Sequence, residues 1–550
     1  RKHSAKAKLV KIDSHAAAEA KAIKELKTQL TAVWSGANLR RGTTAIHVVD
    51  AESGEALYSV HEGEPLNPAS NVKLISTGTV LATLGPDWRY QTRVLGAEPS
   101  ASGDVPSGLY LYGNFDPTLG PGAMVKLAQS LHDRGVRTVS GDIVLSDEQS
   151  RDVIATGRTR ITVVGNAPGK AAKIQVWPET DLVSVHSKKV RSRKRGRSRV
   201  RLKRKVEERD GLPDILHLTL QGTIRKGHKR VLYAKVPDRT QFTANVFKKA
   251  LEQTGIVVSG STRIASFDEF NAEASRAGHL PWPLAVHESA DIASLVARVN
   301  KRSLNHLADR LVMSAAQSVH GGPLSMSSAV DLMKKWLVGI GVDADAVVLD
   351  TGSGLSYRTR LSTKQIVKVL RYAGGYSTVS ENPSTDTFRG SLAISGIDGT
   401  LRRRFKNKDV SLHRSMHGKT GTLTSVIALS GFLAREDGRT ICFSIVTNGH
   451  KKHHKQTVRL EHEHLVAKID TFLDKSEVSS TIQYQASSSI TDAANTSLAD
   501  MKASPLPSVE QEVAESELGE PEVAPAAKIK VKPSATDAST CGTRRPPAAL

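Results

Sequence analysis

The chain has 550 residues, 77 Lys+Arg against 55 Asp+Glu, a formal net charge of +22, a pI near 9.8 and 39% hydrophobic residues. That length allows several domains and a substantial core, while no apolar run approaches the roughly 18 residues of a membrane-spanning helix. Two cysteines, Cys442 in an apolar run and Cys541 in a polar tail, exclude a disulfide-built scaffold, and the charge favours polyanionic partners bound in a salt-sensitive way.

In chain order, Ala16, Ala20, Ile23, Leu26, Leu30 and Val33 predict an amphipathic helix over residues 15–33. Two strands, Thr44 to Asp50 and Glu55 to Val60, follow around Ser53-Gly54. Ser70 to Leu84 reads as a helix stopped by Gly85-Pro86. Residues 89–285 alternate short strands (Gly108 to Tyr112, Ile143 to Leu145, Leu216 to Leu220, Val231 to Lys235) with helices (Ala123 to Leu131, Phe242 to Gln253), which suggests two small lobes divided near 135–140. A helix over Ser289 to Val299, two strands between Ser415 and Phe432, and a closing helix over Val458 to Leu473 complete the ordered part. From about 475 the composition turns to Ser, Thr, Ala, Pro and Glu, with Glu510, Glu512, Glu515, Glu517, Glu520 and Glu522 in one acidic stretch; it is expected to be disordered.

Residues 188–205 hold twelve Lys or Arg in eighteen positions, about half of the net charge. Two readings stand: a patch for an anionic polymer or surface, or a solvated loop or hairpin with no partner. No aromatic residue is interleaved, so bases would have no stacking platform and no specific nucleic acid is expected. His450, His453, His454, His462 and His464 cluster among Lys451, Lys452 and Lys455, whose charge opposes a cation; no metal is expected there, and no cofactor elsewhere. Gly352-Ser353-Gly354 lacks the strand–GxxxxGK[ST]–helix context of a phosphate loop.

Three short motifs carry the chemistry. Ser70 and Lys73 are three apart, which on a helix places a nucleophile and a base on one face. Ser303 and Asn305 follow a helical segment and would aim at one cleft, Ser303 to shuttle a proton and Asn305 to hold a substrate amide. Lys419-Thr420-Gly421-Thr422 on a strand would supply a second cation that lowers the pKa of Lys73. It would also offer Lys419, Thr420 and Thr422 to a substrate carboxylate, with Gly421 permitting close approach. The order SxxK, SxN, KTG is the set found in penicillin-binding proteins and class A β-lactamases.

Longer stretches extend this likeness. Asn67-Pro68-Ala69-Ser70-Asn71-Val72-Lys73, Gly113 to Leu119, Ser140 to Ile143, Asp350 to Ser356, Asp398 to Leu401 and Lys419 to Thr424 resemble the D-alanyl-D-alanine carboxypeptidase/endopeptidases, the low-molecular-mass class C penicillin-binding proteins, over roughly residues 30–472. Leu304 stands where Asp is common, and Thr351 where Gly is usual.

The resemblance implies an α/β (α+β) fold: a β-lactamase/transpeptidase-like catalytic domain (1–88 and 286–474) interrupted by inserted lobes (89–138 and 139–285), with a tail over 475–550. It implies a serine D,D-peptidase that acts on D-Ala-D-Ala termini or D-centre cross-links of peptidoglycan peptides through an acyl-enzyme on Ser70. Ser70 and Thr422 N–H groups would form the oxyanion hole, and β-lactams would act as inhibitors. A periplasmic or otherwise extracytoplasmic, wall-associated location is expected, and the start at Arg1 rather than Met fits an upstream secretion signal already removed. The alternatives are a serine β-lactamase, disfavoured because no deacylating base is identifiable, and a non-catalytic wall-binding protein.

Overall fold

The computed structural model describes residues 2–113, 115–146, 157–343, 345–377, 384–435 and 438–475. The expected tail, its acidic stretch and Cys541 lie outside the described residues.

A six-stranded antiparallel sheet carries the catalytic part. Its order is Ala393–Ile394, Met416–Leu423, Val426–Ala434, Thr440–Asn448, Thr43–Asp50, Ala56–Val60. Strand period sorts the side chains. Ala45, Val49, Ala428, Phe432, Cys442 and Val446 face one helical layer. Ile46, Val48, Ile427, Leu429, Ile441, Phe443 and Ile445 face the other. Both faces are covered, so these strands read as near-continuous apolar runs; each fully buried side chain of this size contributes about 1.5–3 kcal/mol.

The first layer holds helices Val72–Leu84, Ile292–Arg302, Asn305–His320, Met326–Gly339 and Thr363–Ala373. The second is made by Lys455–Lys475 and the helix predicted over 15–33. That helix runs from Lys2 to Trp34 and buries Ala22, Leu26 and Leu30, leaving the expected Ala20 exposed. The stripe turns because this helix packs against both the sheet and its neighbour Lys455–Lys475, with Ile23 and Val33 at the margin. No described helix is long and apolar enough to cross a membrane.

Residues 91–288 leave this sandwich and return to it. Gln91–Gly96 and Trp282–Glu288 pair antiparallel. Below them Tyr90 and Ser289 exchange hydrogen bonds (3.0 Å each), Ile292 N–H donates to Trp88 O at 2.9 Å, and Arg89 meets Asp291 at 3.1 Å. The segment thus hangs from a two-strand stem, and the strand Trp282–Glu288 runs across the expected 285/286 boundary.

The five-stranded sheet of this segment has the order Thr262–Ile264, Ile143–Leu145, Leu109–Tyr112, Gln91–Gly96, Trp282–Glu288. Leu109–Tyr112 pairs parallel with Ile143–Leu145, so residues on either side of 135–140 share one sheet. Two further three-stranded sheets lie between 158 and 235: Lys229–Lys235, Arg158–Val164, Lys173–Trp177, and Val183–Arg193, Leu212–Arg225, Arg199–Arg209. A hydrophobic cluster from Val94 to Ala285 belongs to this segment alone.

The basic block is neither a loop nor a hairpin. It forms two strands that flank Leu212–Arg225, parallel on one side and antiparallel on the other. Its apolar partners, Val190, Val200 and Leu202, alternate with the cations and face the core. The cations conceal that alternation in the sequence.

Candidate active site

Ser70 lies in a 3₁₀ turn, Ala69–Asn71, immediately before the α-helix Val72–Leu84 rather than inside it. Pro68 and its neighbours force this entry. Ala69 adopts φ +47°, in the left-handed region, and Asn67 Oδ1 accepts from its N–H at 2.8 Å. Such strain persists only where surroundings hold it. Two glycines show what holds it. A Cβ on Gly421 would stand 2.6 Å from Pro68 O, and one on Gly354, itself at φ +75°, would stand 2.1 Å from Ala69 O. The KTG strand and the 350–356 loop therefore press the serine turn from two sides. Asn71 ties the turn to the sheet, donating to Ser430 Oγ at 2.6 Å, which meets Ser444 Oγ at 2.8 Å.

Lys73 is fully buried. Its Nζ donates to Ser70 Oγ at 3.0 Å, Asn305 Oδ1 at 2.5 Å and the Ser353 carbonyl at 2.7 Å. Ser303 caps helix Ile292–Arg302 in a left-handed conformation (φ 56°, ψ 41°), and Asn305 opens the next helix. The middle motif is thus a helix–helix corner. Buried Asn300 braces it, donating to Ser391 Oγ at 2.8 Å and Thr77 Oγ1 at 3.2 Å.

Lys419 is also fully buried; its Nζ donates to Ser303 Oγ at 2.8 Å and Thr420 O at 2.9 Å. Burial first, and the Lys73 ammonium second, hold its pKa well below 10.5. The Lys419 amine is thus enclosed and bonded to Ser303 and Thr420 rather than open at the protein surface. Thr420 and Thr422, both half-buried, remain at that surface, and Thr420 Oγ1 donates to Thr400 Oγ1 at 2.9 Å. Asn305 presents its side-chain oxygen to Lys73.

Sequence reasoning gave no role to the 350–356 loop, yet its Ser353 carbonyl is a direct partner of Lys73. The loop is held by Asp309, whose Oδ1 accepts from Ser353 N–H at 2.7 Å. Burial raises the Asp309 carboxyl pKa, with the Ser353 bond and Lys73 opposing the rise. Asp309 stands four residues after Asn305 on one helix, so i,i+4 spacing was the available signal. Thr351, the departure from the usual glycine, accepts from Gly354 N–H at 3.1 Å through its hydroxyl and so closes the turn. The five histidines have different partners: His462 is buried against Thr447 Oγ1 (2.8 Å), its pKa lowered to about 3 chiefly by burial, His464 meets Glu461 at 3.0 Å, His454 meets Arg41, and the His453 and His454 rings lie 4.0 Å apart.

The three motifs, more than 300 positions apart at their extremes, therefore meet at one place, through Lys73 with Ser70 and Asn305 and through Lys419 with Ser303. Comparisons with known proteins agree. The chain is 28% identical over 464 residues to a D-alanyl-D-alanine carboxypeptidase of Actinomadura sp. (strain R39), covering 78% of this chain and 81% of that protein. It is 23% identical over 400 residues to the D-alanyl-D-alanine carboxypeptidase DacB of Haemophilus influenzae, covering 70% and 80%. The crystal structure of penicillin-binding protein 4 (dacB) from Haemophilus influenzae, complexed with a β-lactam, superposes with a TM-score of 0.60 at 20% identity, over 80% of this chain and 99% of that one. A sequence profile matches residues 26–153 and 148–469, and by that match the chain belongs to the D-Ala-D-Ala carboxypeptidase 3 (S13) family.

Proposed function

We infer that this protein is a serine D,D-peptidase and a penicillin target, which hydrolyses the D-Ala-D-Ala terminus or D-centre cross-links of peptidoglycan peptides. The observation that carries the reading is the contact of Ser70 Oγ with the buried Lys73 amine, set beside the Ser303–Lys419 pair.

The steps follow from these contacts. Two buried amines near one another favour one neutral amine, and a neutral Lys73 can take the Ser70 proton. Ser70 Oγ then bonds to the carbonyl carbon of the penultimate D-alanine. The oxyanion rests on the N–H groups of Ser70 and Thr422; one such donor is worth about 3–4 kcal/mol in the transition state. As the C–N bond breaks, Ser303 gives its proton to the leaving amine and Lys419 replaces it. Thr420 and Thr422 hold the substrate carboxylate, and Asn305 its amide. The proton held by Lys73 then passes to the now neutral Lys419, and Lys73, neutral again, takes a proton from the water that cleaves the acyl ester and returns it to Ser70.

This substrate supports an extracytoplasmic, wall-associated location. The packing supports a catalytic unit formed from the segments before Trp88 and after Ile292, with residues 89–291 as the insertion. The basic strands support contact with an anionic partner. Fluorescent penicillin tests the central reading: one covalent label per chain is expected, abolished in Ser70→Ala, and a label that persists in that variant refutes it.

A further inference from the structure

The three-stranded sheet Val183–Arg193, Leu212–Arg225, Arg199–Arg209 turns one face to solvent. On it the register aligns Arg191 and Arg199 on either side of Thr223, and Arg201 beside Gln221. Lys203 and Lys205 continue the row beside Thr219 and His217, and Arg193 stands opposite Arg225. The result is a polar trough floored by Thr and Gln, walled by cations on both sides at Thr223 and on the Arg199–Arg209 side along the rest. Same-face residues on a strand repeat every ~6.7 Å.

The acidic residues on these strands, Glu207, Glu208 and Asp214, sit together at the far end beside Asp210-Gly211, and Glu207 is engaged by His217 at 2.5 Å. Among the described residues, Arg191, Arg193, Arg199 and Arg201 are exposed and take part in no ion pair. At the Arg193 end the trough widens into an open surface pocket of about 620 Å³, lined by Arg191, Arg193, Lys194 and Thr223 with glycine at 169 and 222.

We propose that this face is a binding site for a linear phosphodiester polymer, a polyol- or sugar-phosphate chain, which lies along the trough with one phosphate in the pocket. The proposal rests on the reading that the basic strands engage an anion, and goes beyond it in naming the chemistry. Arginine dominates the pocket end, and its planar fork matches phosphate oxygens in pairs. The spacing of the cations along each strand suits phosphates joined by short polyol linkers. The cations run in rows along the strands, an arrangement that one polymer strand can follow residue by residue. A nucleic acid would find no aromatic platform for its bases.

The test titrates the full chain with a labelled synthetic poly(glycerol phosphate), and in parallel with poly-glutamate, oligothymidylate and phosphatidylglycerol vesicles of matched charge. Saturable binding of the phosphate polymer is expected, at least tenfold tighter than the other three, with affinity that falls steeply with salt. Arg191→Ala/Arg193→Ala weakens it at least tenfold, while penicillin labelling of Ser70 stays unchanged and reports an intact fold. Equal binding of the four probes, preference for vesicles or oligothymidylate, or unaltered binding in the double variant overturns the phosphodiester site and leaves the anionic reading standing. Binding of none of the four overturns both.

Discussion

Replacing Lys419 with Met separates the two demands made on a buried lysine. Met fills much of the same volume but removes the amine that donates to Ser303 Oγ at 2.8 Å and to Thr420 O at 2.9 Å. A hydrogen bond from a charged group is worth about 1.5–3 kcal/mol, or about 10- to 150-fold in rate if it forms fully only in the transition state. If Ser303 also loses the group that restores its proton, the loss reaches the ~10²–10⁴-fold range of general acid–base catalysis. Stopped-flow acylation by fluorescent penicillin should therefore slow by about 10²–10⁴-fold, with circular dichroism unchanged.

Stability provides an independent signature of the same residue. Burial and Lys73 depress the folded-state pKa of Lys419 below 10.5, so between that depressed value and about 10.4 the unfolded chain binds more protons than the folded one. Wild-type stability therefore gains with rising pH through this window, and Lys419→Met lacks that contribution. Denaturant melts at several alkaline pH values should show the wild type climbing relative to the variant. Acylation within twofold of wild type, or parallel stability profiles, would refute the assignment of Lys419 as a buried, proton-exchanging partner of Ser303.

Other substitutions probe the supports of the site. Gly421→Ala drives a methyl group to within 2.6 Å of Pro68 O, so the serine turn must shift; acylation should fall about 10²-fold by the same kinetic assay, with a stability loss of about 1–3 kcal/mol. Asp309→Ala removes the acceptor for Ser353 N–H and frees the loop whose carbonyl holds Lys73; a loss of about 1–3 kcal/mol in chemical denaturation and a shifted pH profile of acylation are expected, the latter moderated in Asp309→Asn. Arg404→Ala strands Glu463, now paired with it at 2.6 Å with both side chains about nine-tenths buried; thermal melts should show about 3–5 kcal/mol of destabilisation, with acylation of the surviving folded protein intact.

The catalytic sheet was legible because its strands are long and apolar on both faces, and the motifs because each pairs chemistry with fitting local structure. Ser70, Lys73, Ser303, Asn305 and Lys419 were named before their contacts were visible. Their partners were not. A carbonyl such as Ser353 O carries no residue-type signal, and Lys419 turned inward because a strand's alternation can face a cation to the protein interior as readily as to the cleft. The inserted segment was harder to read. Its strands are short, several pair parallel across long intervals, and in Val183–Arg193 and Arg199–Arg209 the charged positions outnumber the apolar ones that fix the register.

The neighbour relation of Thr43–Asp50 and Thr440–Asn448 has a temporal consequence. A polypeptide emerging from its N-terminal end can zip the Arg89–Asp291 stem and complete the appended lobes while the early hairpin waits with an open edge. Its missing neighbour arrives only after the residue-419 ammonium has emerged. Bond-breaking competence is therefore deferred until most of the described residues have been made, and an incomplete chain lacks the means to cut a peptide.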